Sequence, residues 1–171
     1  MIVATIRRVA HVMERVSLLL GALCLLYMVS VVGLNVLARI VFDATGTALN
    51  LMIPGAIEQV SYLLGIVAMA GLTASLSHGM IAVDFLVTRL PRGGQALVAR
   101  FWFLVLLCLA LVLCWLFFHD MQATYARGEE SQDLRIPMFL IYGLAMLQSL
   151  ALAVVALREM LVSQGDHGEI A

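Results

Sequence analysis

Four apolar runs, each long enough to cross a bilayer, dominate this chain and leave few folds open to it. A hydrocarbon core roughly 30 Å thick needs about 20 apolar residues in a helix. Runs of that length lie at about Val16–Ile40, Ile57–Ser77, Val98–His119 and Ile136–Leu157. Only 12% of the residues are charged and 63% are hydrophobic, whereas soluble domains carry about 25% charge. A water-soluble fold of 171 residues has too little interior to hide that apolar surface. The expected fold is an all-α integral membrane protein, a single membrane domain of four transmembrane helices.

Between the second and third spans, Met80–Leu90 places Asp84, Thr88 and Arg89 off an apolar face. That pattern predicts a short amphipathic helix in the membrane plane over about 80–90, stopped by Pro91, Gly93 and Gly94. Pro137 falls in the first turn of span four, where a missing N–H costs nothing. In span two, Gly65, Ala68, Gly71, Ala74 and Ser75 recur at helical spacing, as on faces where helix backbones approach closely in lipid.

The arginines set the expected orientation. Arg7, Arg8, Arg15, Arg89, Arg92, Arg100 and Arg158 fall on one side, and Arg39, Arg127 and Arg135 on the other. The positive-inside rule then places both termini in the cytoplasm of a bacterial inner membrane and the acidic loop after span three outside.

The composition and the placement of its reactive residues weigh against several function classes. The net charge of -1 offers no basic excess for nucleic acid. Cys24, Cys108 and Cys114 lie inside apolar runs and read as packed hydrophobes. His11, His78, His119 and His167 sit at or beyond span ends. A redox membrane anchor would need axial histidines inside the spans, so neither a metal nor another cofactor is expected. A self-contained small multidrug pump would need an acid within span one, but Glu14 precedes it. No nucleophile–base–orienter set points to an enzyme. Nor do the spans show the paired discontinuous helices of a carrier built from inverted repeats. These features favour an accessory subunit, with a self-contained small transporter or the membrane anchor of a redox complex as the alternatives.

The polar residues near the span ends carry the candidate sites. Asn35 and Arg39 lie one turn apart on span one. Either Arg39 snorkels to the headgroups, or it meets a neighbouring helix or Glu58, which begins span two. Glu58 otherwise reads as an acid favoured by the helix dipole. His78 and Asp84 bracket the in-plane helix, as pins or simply as wet interfacial residues. Glu129, Glu130 and Asp133 form either a solvated connection or a docking surface.

In order, these features resemble a known family. NVLARIVF with Asn35 and Arg39, AIEQVSYLLG with Glu58, GLTASLSHGMIAVDFLV with Gly71, His78 and Asp84, and SQDLRIPMFLIYG with Ile136, Pro137 and Tyr142 are similar to the small membrane subunit of tripartite ATP-independent periplasmic (TRAP) transporters, the DctQ-like proteins. The chain departs from the family in a longer first outer loop and in charged residues before Ile136. The resemblance implies a large permease subunit as partner, along with membrane lipids. It also implies a periplasmic substrate-binding protein that delivers an organic anion, taken up on a sodium or proton gradient. In that frame Asn35, Arg39, Glu58, Gly71, His78, Asp84 and Pro137 serve structure or subunit contact. Glu129, Glu130 and Asp133 lie near the binding protein.

Overall fold

The computed structural model describes residues 2–46, 53–76 and 92–162. Four helices make up almost all of it: α1 (Ile2–Ala44), α2 (Ala56–Ser75), α3 (Arg92–Arg127) and α4 (Met138–Val162). All four are long and apolar enough to span a membrane. The α1 and α3 starts and the α2 and α4 ends share one end of the bundle, here the terminal end. Thr45–Gly46, Ile53–Gly55 and the α3–α4 connection form the opposite, loop end.

Two helices run well past the apolar windows. At 1.5 Å per residue the 43 residues of α1 reach roughly 64 Å, about twice the hydrocarbon thickness. The polar lead-in with Arg7 and Arg8 is therefore one continuous helix with the span. α3 continues beyond His119 to Arg127, which shortens the connection expected from Asp120 onward. It also begins at Arg92, so Gly93 and Gly94 lie in its first turn instead of a break. The glycine cost is felt least at a helix end, where few intrahelical bonds depend on it. Pro137 sits one residue before α4 instead of inside its first turn. The expected in-plane helix at 80–90, with His78 and Asp84, lies outside the described residues.

Packing follows a 3–4 spacing. On α1, Ala10, Glu14, Ser17, Gly21, Cys24, Met28, Val31, Asn35, Ala38 and Phe42 are among the buried or half-buried positions. They form a seam along α1, which packs on α2 and α4. Gly21 is where that seam is tightest: a Cβ there would lie 3.0 Å from the Cβ of Ala70 on α2. Much of the rest of α1 is exposed leucine, valine and isoleucine, typified by Leu23 and Leu37, a surface suited to lipid and not to water.

α4 is the hub. It packs on α1, α2 and α3, whereas α3, among the described residues, packs along α4 and along neither α1 nor α2. Small side chains explain the central position. Ser149, Ala151, Ala153 and Ala156 are buried on different sides of α4 and admit neighbours closely. Leu152 and Ala153 meet Ala110 of α3, and Leu76 at the end of α2 reaches into the same cluster.

Candidate functional site

At the loop end, Glu58 ties α2 to the α3–α4 connection. Its Oε2 accepts the Asp133 N–H at 3.0 Å. Its Oε1 accepts the Gln132 N–H at 3.0 Å and the Tyr62 hydroxyl at 2.9 Å. A carboxylate has only acceptors to offer, so three converging donors suit it. The connection is itself closed. Ser131, which is buried, donates its N–H to the Ile136 carbonyl at 2.9 Å, and Met138 donates to the Glu129 carbonyl at 3.0 Å. Glu130 and Pro137 face each other in an antiparallel bridge.

Two residues with left-handed backbones make these turns, Gly128 (φ 62°) and Arg135 (φ 52°). A third, Gly55 (φ 65°), lets α2 begin directly against the connection. Replacing Glu58 with glutamine puts an NH₂ group against these donors. Amide hydrogen exchange at Gln132 and Asp133 should then speed up about tenfold for each bond lost. Unchanged exchange would show that the connection holds itself.

The acidic residues of the connection are exposed. Glu129 pairs with Arg127 at 2.7 Å. With Glu58, Ser61, Tyr62, Glu130, Ser131, Gln132 and Met138, Glu129 lines a groove of about 460 Å³. Among the described residues, neither Glu58 nor Glu130 has an ion-pair partner. Arg39 does not meet Glu58. It is exposed beside a shallow recess shared with Asn35, Phe42 and Asp43. Asn35 instead accepts the Ile53 N–H at a long 3.4 Å, and the Tyr27 hydroxyl donates to Gln59. Both contacts join α1 to residues at or just before the start of α2. Gly71 lies on an exposed face of α2, and a Cβ there would meet nothing within 4 Å among the described residues.

At the terminal end the structure brings together residues not singled out as sites above. Arg158 of α4 is 5% exposed. It donates from Nη1 to Glu14 of α1 at 2.9 Å and from Nε to Glu159 at 2.8 Å. His11 Nδ1 lies 3.3 Å from both Glu14 and Arg158. The legible signal was an acid and an arginine flanking spans one and four on the side expected to be shared. Mid-span, Gln148 is buried and its Nε2 has no partner among the described residues. Among those residues, no three of His, Cys, Asp or Glu converge as metal ligands would.

Length, apolarity and connectivity thus define a four-span integral membrane protein whose ionisable side chains gather at its two ends. The family model for tripartite ATP-independent periplasmic transporters, DctQ component, matches residues 28–164. The chain belongs to that family of TRAP transporter small subunits. The match begins within α1, so Arg158 falls inside it and Glu14 before it. No curated protein and no solved structure is similar enough to count as a match.

Proposed function

We propose that this protein is the small accessory subunit of a TRAP transporter. In this role it braces the large permease subunit in the bilayer and helps a periplasmic substrate-binding protein dock. The transporter takes up an organic anion on an ion gradient, and the large subunit carries the substrate and ion sites. One observation carries the reading. Charged groups at both ends bind the chain's own helices together, Arg158 with Glu14 and Glu58 with the α3–α4 connection, while no acid or base sits at mid-span. Such an arrangement makes a stiff frame and offers no ion pathway.

The excess of arginine at the terminal end supports cytoplasmic termini. The loop end then faces the periplasm. Glu129, Glu130 and Asp133 stand there as the docking charges, and Asn35 and Arg39 stand as contacts to the large subunit. The tagged protein, extracted from its native membrane, should bring down one large polytopic permease in stoichiometric amount. Reversing the charge of Glu129 and Glu130 together should raise the binding-protein concentration needed for half-maximal uptake by about tenfold. An unchanged concentration dependence would sink the docking role.

A further inference from the structure

At its loop end α1 carries two opposite charges that no described group answers. Arg39 and Asp43 line one recess of about 300 Å³ with Asn35 and Phe42, and both are exposed. Among the described residues neither side chain has an ion pair or a hydrogen bond. Residues 45–55, which follow, hold no charged side chain. The last turn of α1 has no basic residue, so Asp43 adds its charge to the negative end of the helix dipole. That end lacks a cation, and Arg39 lacks an anion.

The order of the two charges is set by depth. Arg39 lies within the apolar run of α1, and Asp43 lies just beyond it. Four residues of helix separate them by about 6 Å along the axis, with the cation nearer the bilayer centre. Around and below Arg39, Val36, Leu37 and Ile40 present an exposed apolar surface.

We propose that this recess holds the headgroup of a zwitterionic phospholipid of the phosphoethanolamine type, its phosphate on Arg39 and its ammonium on Asp43 and the α1 C-terminus. A guanidinium presents a fork of donors that matches phosphate oxygens. In either leaflet such a headgroup turns its phosphate toward the hydrocarbon and its ammonium toward water, the same order as Arg39 and Asp43. The acyl chains then lie on Val36 and Leu37. An anionic lipid satisfies Arg39 but brings no cation to Asp43. Arg39 by itself is an ordinary snorkelling arginine; the acid one turn further out and the bare helix end make the pair selective. The site does not rest on the accessory-subunit reading, and the five donors of a guanidinium leave room for a subunit contact beside the lipid.

Lipid retention tests the site. The full-length protein, with any partner it keeps, is extracted in mild detergent containing equal amounts of phosphatidylethanolamine and phosphatidylglycerol, and bound lipid is read by native mass spectrometry. Wild type should retain phosphatidylethanolamine over phosphatidylglycerol by about fivefold. Asp43→Asn should bring the ratio close to even, and Asp43→Lys should invert it. Arg39→Gln should reduce retention of both lipids. Asp120→Asn, which alters an exposed acid on α3, should change neither.

A misfolded variant loses lipid but does not reverse its preference, so Asp43→Lys keeps the test sharp. Equal retention of the two lipids by wild type leaves only an ordinary lipid annulus and overturns the site. A preference that survives both Arg39→Gln and Asp43→Asn places the lipid elsewhere and overturns it too. If Arg39→Gln releases a co-purifying protein and leaves bound lipid unchanged, the recess belongs to a protein contact and the proposal falls.

Discussion

Arg158→Met should cost about 3 kcal/mol of stability, read as a lower midpoint in thermal unfolding of the detergent-solubilised protein. The guanidinium is almost wholly enclosed between α1 and α4, and its loss removes the cation shared by Glu14 and Glu159. The penalty comes mostly from what is left behind. A carboxylate at a helix seam that loses its arginine keeps the cost of its burial with less to offset it. Adding Glu14→Met to Arg158→Met should therefore recover much of the loss, because the pair is then replaced by apolar side chains of similar size. If the double variant is as unstable as the sum of the single ones, Glu14 and Arg158 act independently and the staple between α1 and α4 is not real.

Gly55→Ala should be the next most damaging change, at about 3 kcal/mol. Two costs add. A left-handed residue with a Cβ is disfavoured by about 1–2 kcal/mol. Here the Cβ would also lie 2.8 Å from Cγ of Leu134 and 3.1 Å from Cβ of Asp133, an overpacked contact. Gly128 separates the two terms. Its φ is nearly the same, at 62°, but a Cβ there meets nothing, so Gly128→Ala should cost only about 1 kcal/mol. Similar losses at both positions would mean that Leu134 yields easily and that α2 does not press on the connection.

Much of the architecture was legible because it depends on local sums. Hydropathy over about 20 residues revealed the four long apolar helices, and Pro137 with its neighbours marked the approach to α4. The end of α3 was harder to see. Residues 120–127 are polar, and polarity reads as loop even where a helix projects beyond the lipid. Glu58 was picked out by its position at the start of α2, but its partners in the α3–α4 connection were not, because they are backbone amides and carry no sequence signature. Arg39 suggested itself as their rival by charge alone, and the structure keeps the two apart.

The amino-acid sequence alone determined the four long apolar helices, since bilayer thickness converts apolar length directly into topology, and the order of its motifs carried the likeness to the DctQ family. Only the tertiary structure decided that Arg158 joins Glu14 across 144 positions of chain, that α4 is the hub, and that the glycines of α2 face outward. The reason is physical. Apolarity acts on each segment separately, whereas an ion pair or a covered face depends on which helices become neighbours, and in lipid close packing makes that choice with little help from hydrophobicity.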